Sequence, residues 1–223
     1  LGGGGFGLAQ YHFFGGHPRA IALADVSGDG LLDVAVAHTL STTVSVALGL
    51  GGGALAAPVH HVVGTSPQAV IAADLDDDGL PDLVTANSVS RDVAVLRSLG
   101  GGTFAAPVAV MVPEDPMSLG VGDLDGDGWL DAVTANTETE TLSVLRGQPG
   151  GALGGPVNFG VDGTPQFLAL GDLSGDGLLD VAIDDDGHVQ VLAQLGTSLS
   201  GPWTNLGYGL AGTAGIPSLV GAG

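Results

Sequence analysis

The stretch DLDGDGWLD, Asp123 to Asp131, places four carboxylates in nine residues around a glycine at the sixth place. Carboxylates this close repel one another strongly unless a cation neutralises them. Oxygen donors at places one, three, five and nine, with a backbone carbonyl at seven, suit Ca²⁺, which takes about six to eight oxygens in flexible geometry. The candidate ligands are Asp123, Asp125, Asp127, Asp131 and the carbonyl of Trp129. Gly128 stands where the chain must turn sharply into a conformation that a Cβ disfavours. The same stretch recurs as DVSGDGLLD, DLDDDGLPD and DLSGDGLLD. It thus adds Asp25, Ser27, Asp29, Leu31 and Asp33; Asp74, Asp76, Asp78, Leu80 and Asp82; and Asp172, Ser174, Asp176, Leu178 and Asp180. The first aspartates stand at 25, 74, 123 and 172, so four sites repeat every 49 residues.

Each repeat has a proline seven residues before its loop: Pro18, Pro67, Pro116 and Pro165. An apolar run such as Ala69 to Ala73 follows, then the loop, then short strands at Val34–Ala37, Leu83–Ala86, Ala132–Ala135 and Val181–Ile183. Alternating strands come next at Val44–Leu48, Val93–Arg97, Leu142–Arg146 and Val189–Ala193. A glycine-rich turn such as Gly100 to Phe104 delivers a fourth strand, for instance Val108 to Val112. Short strands separated by turn chemistry predict an all-β chain, and four of them per repeat predict the blade of a β-propeller. Six places after each proline the residue is small (Ala24, Ala73, Gly122, Gly171). That suits an innermost strand where backbones converge on an axis. A solenoid is the alternative that repeats also permit.

The blades are expected at 18–66, 67–115, 116–164 and 165–216, the last lengthened by Gly196 to Gly209. Residues 1–17 read as the end of a preceding blade, since Leu1 to Phe6 matches Leu99 to Phe104. Residues 217–223 read as the first strand of a following one. The expectation is a fragment of a longer ring, or a chain completed by further blades or another copy.

These residues resemble the FG-GAP and VCBS repeats of integrin-α-like propellers. The resemblance is carried by the proline before an apolar strand, the D-x-[DS]-x-D-G-x-x-D loop, and the TAN at Thr85–Asn87 and Thr134–Asn136. The GGGTF turn with its following Pro107 adds to it. It implies a propeller, usually of seven blades, with Ca²⁺ in the hairpin between first and second strands. It also implies an adhesion or recognition module for protein or glycan. Two features depart from the pattern: serine at the third place (Ser27, Ser174), and DDDG at Asp184–Gly187 in place of TAN.

Composition narrows the alternatives. The chain has 223 residues, 44% of them apolar, enough for a core. Its net charge is −20, yet 15 of 24 acidic residues lie in the loops, and four bound Ca²⁺ would leave about −12. Four arginines and no lysine argue against nucleic acid. Cysteine is absent, and no apolar run is long enough to span a membrane. Loops of this type fill at the calcium levels outside cells, so a secreted or surface location is expected.

An EF-hand would need glutamate at place twelve, where Val36, Thr85, Thr134 and Ile183 stand. Counting carboxylates, loops two and three should bind more tightly than loops one and four. Calcium is expected to be structural, its binding energy becoming folding energy.

No catalytic constellation is evident: His12, His17, His38, His60, His61 and His188 show no zinc-protease spacing. The remaining acids, Asp92 among them, read as solvated turn residues, so no enzyme is expected. In an up-and-down blade the calcium loops and glycine turns share one face. The opposite face is then free for recognition, with Arg19, Asn87, Arg91 and Asn136 as candidates. The alternatives are a propeller of a secreted polysaccharide lyase or hydrolase, and an architectural subunit of a surface assembly.

Overall fold

A computed structural model describes residues 8–113, 115–185 and 187–194, together with the backbone of 204–205. The expectations for Leu1–Phe6 and Pro217–Gly223, and for most of Gly196–Gly209, lie outside the described residues. The first blade holds β1 (His17–Ala24), β2 (Asp33–Thr39), β3 (Thr43–Ala47) and β4 (Val59–Val62). The second holds β5 (Pro67–Ala73), β6 (Asp82–Asn87), β7 (Asp92–Leu96) and β8 (Val108–Met111). The third holds β9 (Pro116–Gly122), β10 (Asp131–Asn136), β11 (Thr141–Gln148) and β12 (Ala152–Gly160). The fourth holds β13 (Leu168–Gly171), β14 (Asp180–Asp185), β15 (His188–Ala193) and β16 (Thr204–Asn205). Each sheet pairs its four strands in chain order, and each pairing is antiparallel.

The second strands run longer than their apolar runs, because the ninth loop aspartate and the polar closing residue join the ladder. The periodic proline has a visible effect in the first three blades. Lacking an N–H, it cannot donate to the ladder, and just after it the register shifts, between Pro18 and Ala20, between Pro67 and Ala69, and where Asn136 pairs with Pro116. The skipped residues are Arg19, Gln68 and Met117, and Arg19 Nε donates to Gln68 Oε1 at 3.2 Å. In the fourth blade the strand starts only at Leu168, since Asp184 accepts the N–H groups of Gln166 and Phe167 at 2.9 and 2.6 Å.

The core lies between blades. Val26, Ala37, Val44 and Val46 of the first pack on Val70, Leu83 and Leu96 of the second. Leu75, Val84, Val93 and Val95 of the second meet Leu119, Ala132 and Leu145 of the third. Leu124, Val133, Leu142 and Val144 of the third meet Val181, Ile183 and Leu192 of the fourth. With sheets on both sides, β6 and β10 are buried along their whole length, their polar residues included.

The small sixth place needs one correction. A Cβ on Gly122 would come within 2.6 Å of Leu179 Cδ1, so a neighbour's leucine side chain, not a backbone, claims that room. At Gly171 nothing lies within 4 Å.

Among the described residues, the outer faces of the first and fourth blades carry exposed apolar side chains. Ile21 is 65% exposed where its counterpart Val70 is 5% exposed, and Leu173 is 56% exposed where Leu124 is fully buried.

Candidate functional site: four acidic hairpins

Each hairpin between first and second strands wraps its backbone around its own carboxylates. Asp123 accepts the N–H groups of Gly126, Asp127 and Gly128 at 2.8, 3.1 and 3.0 Å. Asp25 does the same for Gly28, Asp29 and Gly30. Burial pushes the Asp25 carboxyl up, but these bonds and one from Ser27 outweigh it, leaving it below the usual value. The fifth aspartate accepts from the seventh residue's N–H, as in Trp129 to Asp127 at 2.9 Å. The sixth glycine has φ near +90° in every loop, 88°, 89°, 92° and 89° in turn. The fourth place is left-handed too: Gly28, Gly126 and Gly175 take it readily, and Asp77 adopts φ 61°.

The ninth aspartate does more than face a cation. Asp131 Oδ2 accepts the N–H of Leu124 at 2.9 Å, and its Oδ1 accepts that of Gly147, from the glycine turn, at 2.7 Å. Asp33, Asp82 and Asp180 brace their own turns the same way through Gly49, Ser98 and Gln194. All four are buried. Burial first, then the charges of neighbouring loop aspartates, push Asp82 and Asp131 up to about 6 against those bonds.

Carboxylate oxygens of Asp74, Asp76 and Asp78 lie within 4.8 Å of one another, as do those of Asp123, Asp125 and Asp131. An all-oxygen trio of this size fits a hard divalent cation, and Asp76 Oδ1 is buried without a hydrogen-bond partner. Among the described residues, loops one and four assemble no such trio. There the third place is serine, and Ser27 Oγ donates to Asp25 Oδ1 at 3.2 Å.

In the second, third and fourth blades the turn after the third strand touches the acidic loop of the blade before it. Gly101 N–H and Ser98 Oγ donate to the Ser27 and Val26 carbonyls at 2.8 and 2.9 Å. Gln194 Nε2 donates to the Leu124 carbonyl at 2.7 Å. Sequence reasoning missed Ser98 and Gln194, although both sit at the place the ninth aspartate braces.

On the opposite face the candidates divide. Arg19 and Arg91 are exposed, and Arg19 lines an apolar pocket of about 570 Å³ with His12, Phe13 and Phe14. Asn87 and Asn136 are fully buried, which removes them as surface contacts. Asn87 Nδ2 donates to Asp92 Oδ1 at 2.6 Å, so Asp92 is not a solvated turn residue either. Asn136 Nδ2 donates to Ser143 Oγ at 2.7 Å. In the first blade His38 takes this place: its Nε2 lies 2.7 Å from Ser45 Oγ, which lies 2.6 Å from His60 Nδ1. Ser45, at the centre of these three side chains, is solvent-inaccessible. His61 faces the other side, edge-on to Phe104 at 4.9 Å. No helix among the described residues is long and apolar enough to cross a membrane.

The family described as FG-GAP-like repeat matches residues 25–85, 74–134 and 123–183. Among curated proteins none matches the chain in sequence. Among solved structures, the chain is similar to an Agrocybe aegerita lectin described as recognising non-reducing terminal N-acetylglucosamine. There the TM-score is 0.56 and the identity 19%, over 82% of this chain and 51% of that one. It is also similar to BBS1N, solved in complex with ARL6DN, with TM-score 0.59 and 16% identity over 85% of this chain and 56% of that one. A third likeness is to the Photorhabdus luminescens Tc holotoxin pore, with TM-score 0.51 and 23% identity, over 85% of this chain but 9% of that one. The chain thus spans about half the length of the first two, and these likenesses concern the fold.

Proposed function

Because the chain belongs to the FG-GAP-like repeat family of β-propellers, we propose that it is a calcium-stabilised segment that recognises a protein or glycan outside the cell and performs no chemistry of its own. The observation that carries the calcium reading is the Asp123, Asp125, Asp131 trio, two of whose members are buried. Buried carboxylates this close cost stability until a cation neutralises them. Calcium bound there supplies charge neutralisation, and the loop's own backbone bonds set where its carboxylates stand. Modules that work outside cells bind calcium in a range of about 10⁻⁴ to 10⁻³ M, which supports that location.

Recognition is supported by the propellers it resembles, one described as binding a sugar and the other solved with a protein partner. The chain's own candidate is Arg19 beside Phe13 and Phe14, a cation and aromatic faces at one pocket. The test is thermal unfolding in EDTA and in saturating calcium, followed by a glycan array. Calcium is expected to raise the melting temperature with its free concentration, and Arg19→Ala to abolish any glycan signal. An unchanged melting curve removes the calcium reading.

A second reading, that the chain is one part of a larger ring or assembly, is favoured by Ile21 and Leu173. Their counterparts inside the array are covered by a neighbouring blade.

A further inference from the structure

The third place of the loop and one place at or near the end of the third strand vary together across the four blades. Where the loop has Asp76 or Asp125, the place that follows the third strand's apolar run holds Arg97 or Arg146; where it has Ser27 or Ser174, that place holds Leu48 or Ala193. Sheet register makes these four positions equivalent, each following the residue paired with Val34, Leu83, Ala132 or Val181. The structure joins the covarying pairs: Arg97 Nη1 lies 3.8 Å from Asp76 Oδ2, and Arg146 Nη1 lies 3.5 Å from Asp125 Oδ2. A chain with four basic residues spends two of them here. An added carboxylate thus comes with an added guanidinium, and counting carboxylates overstates how far the loops differ in charge.

We propose that Arg97 and Arg146 are resident counter-ions that hold the third-place carboxylate while no cation is bound, and so set the affinity of loops two and three below what the four carboxylates at places one, three, five and nine alone would give. This rests on the calcium reading above. Asp125 is buried and Arg146 is half exposed. The guanidinium therefore offsets the carboxylate from the solvent side and competes with a cation approaching its oxygens. Loops one and four use serine and need no counter-ion.

Trp129 makes the third loop separately observable, because it stands inside that loop and sensitises terbium bound there. On a Trp203→Phe background, terbium titration and competition by Ca²⁺ are measured for the wild type, Arg146→Leu and Arg146→Lys. Arg146→Leu is expected to tighten both cations roughly two- to fivefold, the range for a partly exposed ion pair. Arg146→Lys, which keeps the charge, should stay near wild type. In EDTA Arg146→Leu should also lower the melting temperature, Asp125→Ser combined with it should restore it, and saturating calcium should erase the difference. Unchanged or weaker affinity in Arg146→Leu, or an equal loss of stability with and without calcium, would overturn the proposal and leave the arginine a packing residue. If the wild type binds neither cation, the calcium reading fails. The EDTA cycle then still reports whether arginine and aspartate are coupled.

Discussion

Ser98 donates from its Oγ to the carbonyl oxygen of Val26, 2.9 Å away across 72 residues of sequence. The bond fastens the second blade's glycine turn to the first blade's acidic loop, and Ser98 N–H also reaches Asp82 in its own loop. One residue thus ties two successive loops. Ser98→Ala leaves a buried carbonyl without this donor, a loss of about 1–3 kcal/mol. Urea unfolding should show it in EDTA as well as in calcium, since neither partner is a cation ligand.

The ninth aspartate should matter without metal. Asp131 satisfies two backbone N–H groups and joins the loop to the turn that follows. Asp131→Ala orphans the buried Leu124 N–H and the half-buried Gly147 N–H while relieving the buried charge that raises the carboxyl, so the metal-free protein should still lose stability, by about 1–3 kcal/mol. A residue acting only as a cation ligand would show no loss in EDTA.

The repeat, the loops and the blade were legible because they rest on local chemistry: proline at the strand start, glycine at the left-handed sixth place, aspartate in the turn. The left-handed fourth place was missed, although Gly28, Gly126 and Gly175 mark it, because Asp77 breaks the glycine pattern there. Asn87 and Asn136 were misplaced because a polar residue at a strand end reads as exposed. In sheets covered on both faces it turns instead to a polar neighbour, Asp92 or Ser143, on the adjoining strand. The pairing of Arg97 with Asp76 spans two hairpin strands and shows in the sequence only when equivalent places of the repeats are compared.

The open face of the first blade gives a paired test. Val70 is buried between blades and Ile21 is its exposed counterpart. Val70→Ala should cost about 2 kcal/mol from lost burial. In the 223-residue chain, Ile21→Ala should cost under roughly 0.5 kcal/mol, as surface changes do. An equal cost for the two would mean that a further blade or a second copy covers this face in solution.

His38 should give the first blade a pH dependence that the second and third lack. Its Nε2 is bonded to Ser45, its Nδ1 is buried without a partner, and Gly16 packs against the ring. His60 faces it edge-on at 6.4 Å and is the titratable neighbour across Ser45. Burial first, and the charge of His60 second, hold its pKa below the ordinary 6.5. Above 6.5 both folded and unfolded chains carry a neutral ring, and His38 adds no pH dependence. As the pH falls through 6.5 the unfolded chain takes up the proton first, so stability is lost until the folded value is passed. Asp82 and Asp131 act with the opposite sign. Their folded values near 6, against an ordinary 3.8, make the metal-free fold gain stability as the pH drops through 6. The difference between wild type and His38→Asn, which imports the residue of the second and third blades, cancels that common contribution. In urea unfolding between about pH 7 and pH 5 in EDTA, the variant should lose less stability on acidification than the wild type. Parallel pH profiles would mean that the ring is protonated as readily in the fold as out of it.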